Sequence, residues 1–478
     1  MTDEYTGADL FTDALEAYGV DYVFGNPGTT ELPIMDAIGD SDLEYRLGLH
    51  EDIAVGMAGG YAQRRRYHAH HDDSITPVGV ANLHIAPGLA HGLGNLYAAK
   101  ITGAPLVVTA GNHSTDFRHE EPILSGRLAD MAREYCKWSD EVLDVSALPT
   151  MLRRAFRVAM TPPTGPVFLG LPLDVMLAET DAEPDRLGPI PNAGSGDPAQ
   201  LERAAGLLAE ADEPVLVVGD HVARSGADAV AAAVELAEAT GARVHGEILS
   251  CEVDFPTDHE QWVSYLPTSE EAASTLLDTD TICFAGVSTN TTLTRHEEAL
   301  VDSDTTCIHL SDDSWQVGKN QPADAAVIGD PGLVMQGITE RVQPKLSENV
   351  VADRLEAVAE IAEMVESRMA GSGEAEGDDP RASKAQLVDA MERAAGDAAI
   401  VDEGVTSKYA MLTRWDLAPE QYISNKAAVS GTGYRRRLGP PSQRNNATSP
   451  ATWLASSVTD LISTIPTRST APRATNWT

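Results

Sequence analysis

The chain of 478 residues carries 73 acidic and 34 basic side chains, a formal net charge of −39. This balance argues strongly against nucleic-acid binding, which needs a basic surface. No apolar run approaches the ~20 residues of a membrane span, and the acidic N-terminus lacks a signal-peptide pattern. We therefore expect a cytoplasmic protein without membrane partners. The acidic excess is typical of a salt-rich cytoplasm, where screening weakens like-charge repulsion.

The chain is long enough for about three domains, and apolar strands alternate with helical segments, which predicts α/β domains with parallel sheets. Changes in composition set the expected boundaries. They are a first domain at 1–180, a linker at 181–198, a central domain at 199–345, a second linker at 369–383, the opening of a third domain at 384–426, and an aberrant, disordered tail at 427–478.

In chain order, residues 22–32 read as a short strand, a turn at Pro27 and Gly28, and the start of a helix. Glu51 then opens a helix whose body is apolar and rich in alanine and glycine, so another backbone can approach it closely. A partly desolvated glutamate at this place suits proton chemistry. On the helix alone, a glutamate that merely complements the helix dipole is the better explanation.

The next strand, at 78–83, runs directly into His84, and a helix is predicted from about 89 to 100. A further apolar strand at 105–109 ends at a polar segment that includes Asn112. Polar residues at the carboxyl ends of parallel strands are where open α/β sheets place ligands. This pattern reverses the judgement on Glu51 and predicts a site in the first domain.

Other histidines carry less weight. His68, His70 and His71 follow Arg64–Arg66 in what reads as a solvated surface loop before a strand. His113 and His119 follow Asn112 in a loop near the predicted site, where one of them could touch a substrate.

The first-domain segments, in their order, resemble the pyrimidine-binding domain of thiamine diphosphate-dependent enzymes. The similar segments are GVDYVFGNPGTTELP, LHEDIAVGMAGGYAQ, VANLHIAPGLAHGLGNLYAA and PLVVTAGN. Within the family the benzoylformate decarboxylase branch is the most similar, because it also has a histidine in the NLH segment. The resemblance covers most of residues 5–426.

The resemblance implies an α/β fold of three doubly wound parallel-sheet domains, with thiamine diphosphate and Mg²⁺ as cofactors and a 2-oxo acid as substrate. It implies that Glu51 hydrogen-bonds the cofactor's pyrimidine ring and that His84 relays protons. Pro27 and Gly28 would shape the turn against the pyrimidine. Thr29 stands where the similar decarboxylases have a serine that contacts the substrate carboxylate. A homodimer or homotetramer is implied, because family members share each site between two subunits.

The third domain departs from the family pattern, which should continue into a glycine-rich loop and a Gly-Asp-Gly motif that holds Mg²⁺. After Lys426 the chain instead has six arginines, no lysine and a single acid, Asp460. With suitable codons, a one-base shift just after Lys426 turns 427–442 into GGGLGYGLPAAVGAAL and 458–463 into Gly-Asp-Gly-Ser-Tyr. We therefore expect a frameshift, no metal ligands in the chain as written, and no activity.

Three functions stay open at this point: a decarboxylase of an aromatic or branched 2-oxo acid, an acetolactate synthase-like carboligase, and a non-catalytic remnant or binding protein. The central domain is expected to be mainly architectural, because it has no G-x-G-x-x-G dinucleotide motif.

Overall fold

Most strands of the computed structural model are continuous apolar runs, because helices cover both faces of the parallel sheets. Val215–Val218 and Val167–Pro172, for example, are buried along their whole length. The structure describes residues 4–289, 291–292, 295–371, 382–396, 398–404, 407–424, 426 and 453–456.

The first domain contains a six-stranded parallel sheet in the order β2-β1-β3-β4-β6-β5. Its strands are β1 (Tyr22–Asn26), β2 (Glu44–Leu47), β3 (Gly79–Leu83), β4 (Leu106–Asn112), β5 (Trp138–Glu141) and β6 (Val167–Pro172). Its helices are α1 (Gly7–Ala17), α2 (Leu32–Gly39), α3 (Glu51–Ala69), α4 (Ile85–Ile101), α5 (Leu128–Ala132), α6 (Leu148–Met160) and α7 (Leu173–Leu177). Separate buried clusters pack on the two faces, as expected for a doubly wound sheet.

The central domain contains a second six-stranded parallel sheet in the order β12-β11-β10-β7-β8-β9. Its strands are β7 (Val215–Val218), β8 (Arg243–Gly246), β9 (Trp262–Tyr265), β10 (Thr281–Ala285), β11 (Thr306–Ser311) and β12 (Ala325–Ile328). Its helices are α8 (Pro198–Glu210), α9 (Asp220–Arg224), α10 (Ala227–Thr240), α11 (Glu270–Leu277), α12 (Pro331–Val342) and α13 (Glu348–Gly371). The prediction of two doubly wound parallel sheets is therefore confirmed.

The described part of the third domain is smaller. It contains α14 (Lys384–Ala395), β13 (Ala399–Asp402), α15 (Lys408–Arg414), β14 (Tyr422–Ser424) and β15 (Trp453–Ser456), with the strands in the order β14-β13-β15. The predicted tail at 427–478 lies outside the described residues except for β15, which pairs in parallel with β13. The disorder expected for the tail as a whole stays a prediction.

Helix α3 corrects the expected surface loop at Arg64–Arg66. The helix continues to Ala69, so all three arginines and His68 belong to it and His70 caps its C-terminus. The arginines are anchored rather than solvated: Arg65 donates to the carbonyl of Thr76 at 2.8 Å, and Arg66 is buried. Arginine is a good helix former, so the run of arginines continues the helix instead of ending it.

Buried charges hold the domains together. Arg66 of the first domain lies 2.6 Å from the Glu252 carboxylate of the central domain. Lys426, at the end of the third-domain segment, lies 2.7 Å from Glu247 and 2.9 Å from Asp220. Burial opposes the charge on the Lys426 ammonium, but these two carboxylates outweigh it and raise its pKa. Within the described residues, no helix is both long and apolar enough to cross a bilayer.

Candidate active site

The strand order of the first sheet defines a switch point. The sheet runs β2-β1-β3-β4, so the connections after β1 and after β3 leave on opposite sides and open a crevice between the two strand ends. The turn with Pro27 and Gly28 follows β1, and His84 follows β3. The loops that carry the predicted site residues therefore meet where ligands bind in open α/β sheets.

His84 is held by a carboxylate that the sequence did not single out. Its Nδ1 lies 2.8 Å from Oε2 of Glu31. The Glu31 side chain is fully buried and also accepts hydrogen bonds from the N–H of Gly28 at 2.8 Å, the N–H of Gly111 at 3.0 Å and the Thr30 hydroxyl at 2.7 Å. A carboxylate offers only acceptor oxygens, and those of Glu31 accept from all of these donors. Nδ1 of His84 must then donate, and Nε2 becomes the nitrogen available to a ligand.

Gly28 permits this arrangement because its missing side chain leaves room for the imidazole. A Cβ at position 28 would lie 2.1 Å from Nδ1 of His84, far inside van der Waals contact. This close approach of the imidazole is a physical reason for a glycine at position 28. The pyrimidine contact that the resemblance implies for Pro27 and Gly28 stays a prediction.

The backbone directly after His84 is strained. Ile85 has φ of 45°, a left-handed conformation that is a genuine outlier for a β-branched residue. Ile85 is buried at the first position of α4, so packing holds it there. Strain of about 1–3 kcal/mol per such residue is concentrated at functional sites, because it positions neighbouring groups.

Glu51 is the first residue of α3 and lies against α4. Its side chain is 13% exposed, and its Oε2 lies 3.1 Å from Nδ1 of His91. A Cβ placed on Gly88 of α4 would lie 3.1 Å from Oε1 of Glu51 and 3.4 Å from Cβ of His84. Glu51 and His84 therefore approach the same point of α4 from two different loops, as a shared site requires.

The remaining predicted residue, Thr29, is exposed and directly follows Gly28 at the start of a short 3₁₀ helix. Its predicted contact with a substrate carboxylate stays a prediction. His119 lines a cavity of about 890 Å³ that also includes Arg118, Arg127 and Gly126. The cavity lies beside the site, because a Cβ on Gly126 would be 3.0 Å from Cβ of Ala86. Its volume is within the usual range for small-molecule pockets.

The equivalent crevice of the central sheet, between β7 and β10, contains a carboxylate of the chain itself. Glu247 accepts hydrogen bonds from the backbone N–H groups of Asp220 and Ser288 at 2.8 Å each, and from that of Thr289 at 2.5 Å. Such N–H groups are the usual anchors of a bound phosphate at this place. Their use by Glu247 supports the expectation that the central domain is mainly architectural.

Comparison with known proteins identifies both of the six-stranded domains. Residues 5–134 match the N-terminal TPP-binding domain of thiamine pyrophosphate enzymes, and residues 201–338 match the central domain of these enzymes. A benzoylformate decarboxylase of Pseudomonas aeruginosa is 32% identical over 339 residues, covering 70% of this chain and 61% of that protein. An acetolactate synthase of Arthrospira platensis is 28% identical over 366 residues, covering 72% of this chain and 60% of that protein.

Among solved structures, the benzoylformate decarboxylase of Polynucleobacter necessarius superposes with a TM-score of 0.76 at 22% identity, covering 94% of this chain and 80% of that one. At this identity the likeness shows the fold alone. The chain thus spans about three fifths of the length of the curated relatives it matches. On its two matched domains and its fold, it belongs to the thiamine diphosphate-dependent enzyme family.

Proposed function

We propose that this chain derives from a thiamine diphosphate-dependent decarboxylase of an aromatic or branched 2-oxo acid. The observation that carries the proposal is the placement of Glu51 and His84 on either side of Gly88, at the switch point of the first sheet. One residue is a partly buried carboxylate, and the other is a histidine oriented by the buried Glu31. A carboxylate and an oriented histidine are the groups that proton transfers to a cofactor and to a substrate require.

The residues present fit the pyrimidine half of the cofactor. Oε2 of Glu51 is engaged by His91, whereas Oε1 faces the glycine surface of α4 and can accept a hydrogen bond from a ring nitrogen. When bound, thiamine diphosphate supplies the nucleophilic carbon and the electron sink for loss of CO₂. Glu51 binds and orients the pyrimidine by holding a proton at its ring nitrogen.

His84 moves protons to and from the substrate-derived groups. Glu31 keeps Nδ1 protonated, so the exchangeable proton is the one on Nε2, which is the nitrogen that Glu31 does not engage. Thr29, exposed at the end of the same turn, is proposed to contact the substrate carboxylate. Functional assembly is proposed to be a homodimer or homotetramer, with Mg²⁺ and the diphosphate held by the third domain.

The motifs for the diphosphate and Mg²⁺ would follow Lys426, in a segment that lies outside the described residues apart from β15. Without the metal, the diphosphate charge has no compensating cation, and the binding energy that positions the reactive ring is lost. We therefore expect the chain as written to be inactive. Inserting one base after the Lys426 codon gives what we call the frame-restored chain.

The frame-restored chain should catalyse Mg²⁺-dependent release of CO₂ from benzoylformate or a branched 2-oxo acid, while the chain as written should not. The measurement is a CO₂-release assay on both purified proteins, with their masses confirmed. Decarboxylation by the chain as written would contradict the frameshift. An inactive but folded frame-restored chain that binds thiamine diphosphate would contradict the proposed reaction.

In the frame-restored chain, Glu31→Gln should lower kcat with 2-oxo acids and shift its pH profile, because the amide can also donate and no longer fixes the His84 tautomer. His84→Ala should lower kcat by roughly 10²–10⁴-fold, the usual contribution of a positioned acid–base group. Steady-state kinetics across pH test both changes. An unchanged pH profile in Glu31→Gln would assign Glu31 a structural role only.

A second candidate is an acetolactate synthase-like carboligase, favoured by the match to the Arthrospira platensis enzyme. Formation of acetolactate from pyruvate by the frame-restored chain, without turnover of aromatic 2-oxo acids, would favour this candidate.

The third candidate, a non-catalytic remnant or binding protein, is favoured by the change in composition after Lys426. Calorimetric titration of the frame-restored chain with thiamine diphosphate and Mg²⁺ separates it from the other two, because a remnant without thiamine chemistry should show no binding.

A further inference from the structure

Three metal-ligating side chains meet at the beginning of α3. His50 caps the helix, Glu51 is its first residue, and His91 extends from the second turn of α4. One ligand atom from each of the three lies within 4.8 Å of the others. Nδ1 of His91 is 3.1 Å from Oε2 of Glu51, and the rings of His50 and His91 stack with their centroids 4.9 Å apart.

The backbone beneath these side chains is fixed. Asp52, the second residue of α3, accepts hydrogen bonds from the backbone N–H and the side-chain amide of Asn95 on α4, both at 2.8 Å. The same amide also donates to the carbonyl of Asp52 at 2.9 Å. Two helices joined this closely hold the three ligands in place before any ion arrives, which lowers the entropy cost of binding.

We propose that His50, Glu51 and His91 form a binding site for a divalent transition metal ion, Zn²⁺ above all. Two imidazoles and one carboxylate are a known zinc ligand set, with a fourth position left to water. Tetrahedral bonds of zinc length place neighbouring ligand atoms about 3.3 Å apart, and the His91–Glu51 separation of 3.1 Å is already close to this. Mg²⁺ and Ca²⁺ prefer oxygen ligands and should bind far more weakly.

Two features oppose the ion, and neither is large. The positive end of the helix dipole at the N-terminus of α3 disfavours a cation, but this effect is weak at an exposed position. Nδ1 of His50 also accepts a long hydrogen bond of 3.3 Å from the N–H of Asp52. Ligation through Nδ1 of His50 would give up that hydrogen bond.

The site would also control Glu51. A metal ion on its carboxylate occupies the group that must bind the pyrimidine, so Zn²⁺ and thiamine diphosphate should compete. This consequence rests on the proposed function, whereas the metal site itself does not. Because the three ligands lie on two helices of the first domain, the chain as written should contain the complete set.

The test is titration of the chelator-treated chain, as written, with Co²⁺ and with Zn²⁺. Co²⁺ should produce the intense visible absorption of a four-coordinate nitrogen and oxygen site, and calorimetry should show one Zn²⁺ per chain. His50→Ala and His91→Ala should each weaken Zn²⁺ binding by more than the ~10–100-fold that loss of an outer-shell partner costs. His119→Ala, which removes an exposed histidine beside Glu120 elsewhere in the same domain, is the matched control.

Equal Zn²⁺ affinity in the parent, His50→Ala and His91→Ala proteins would overturn the proposal, as would the weak absorption of six-coordinate Co²⁺. His50→Gln and His91→Gln repeat the test with less change in side-chain volume, and circular dichroism checks that each variant is folded. A failure of the proposed function is distinguishable, because it would abolish thiamine diphosphate binding but leave the Co²⁺ spectrum unchanged.

Discussion

Replacing Glu51 with glutamine should reduce kcat of the frame-restored chain by roughly 10²–10⁴-fold, the range expected when a positioned proton-transfer group is lost. Glutamine keeps the size of the side chain but cannot exchange a proton with the pyrimidine. The side chain lies against α4 at Gly88 and meets His91 rather than the hydrophobic core. Stability should therefore change little, and the loss should appear in turnover. Steady-state kinetics and a thermal melt of the same preparation measure the two effects.

Glu44→Gln is the matched control. Glu44 lies on β2 of the same domain, is exposed, and pairs only with Arg46 among the contacts described for its carboxylate. The control should retain normal turnover. Near-normal activity in Glu51→Gln would remove Glu51 from the mechanism, and an equal loss in Glu44→Gln would attribute the effect to surface charge instead.

Glu51 and His84 were accessible to sequence reasoning because each stands next to a strong local pattern. Glu51 precedes a helix of small residues, and His84 directly follows a fully buried strand. Patterns of this kind also predict the two parallel sheets, since continuous apolar runs alternating with helices have few other stable arrangements. The switch point then brings together loops that are distant in sequence.

Glu31 was missed because its role is not local. It lies 53 residues from His84 and 80 residues from Gly111 in the sequence. Its role becomes visible only when the fold brings these partners to its carboxylate. A glutamate directly after Thr30 in a turn reads as solvated. The sequence offered one signal: no basic residue that could pair with Glu31 stands near it, although this segment is buried in the structure.

Arg66 was assigned to a surface loop for the same reason. Its run of charged neighbours reads as solvated, whereas its partner Glu252 is 186 residues away in the central domain. Burial of both side chains depends on the packing of two domains against each other, which no local period reports. The third domain shows a different limit. Its opening at 384–426 was predicted from the resemblance, whereas after Lys426 the composition changes and the sequence offers no pattern from which to predict structure.

The buried Arg66–Glu252 contact predicts a large stability effect. Glu252 is fully buried, and its Oε1 lies 2.6 Å from Nη2 of Arg66. Oε2 of Glu252 accepts a hydrogen bond of 2.6 Å from the Tyr67 hydroxyl, and Nε of Arg224 lies 3.5 Å from Oε1. Glu252→Gln should lower the free energy of unfolding by about 3–5 kcal/mol, because it leaves a buried guanidinium without its counter-charge.

The measurement is urea unfolding followed by circular dichroism and by tryptophan fluorescence, because a multidomain chain need not unfold in one step. The first transition should move to lower urea, because the broken pair joins Arg66 of the first domain to Glu252 of the central domain. Glu44→Gln again serves as control. It breaks an exposed ion pair, which should cost at most about 1 kcal/mol.

A double variant separates the charge effect from packing. Arg66→Met combined with Glu252→Leu removes both charges and keeps apolar volume at the domain junction. It should be more stable than Glu252→Gln alone, because the cost of a broken buried pair comes mainly from the charge left behind. Arg224 retains Asp220 at 3.3 Å and the carbonyl of Ile101 at 3.0 Å, so it is not left without partners. If the double variant were as unstable as Glu252→Gln, then shape and hydrogen bonding at the junction, and not charge balance, would hold the first two domains together.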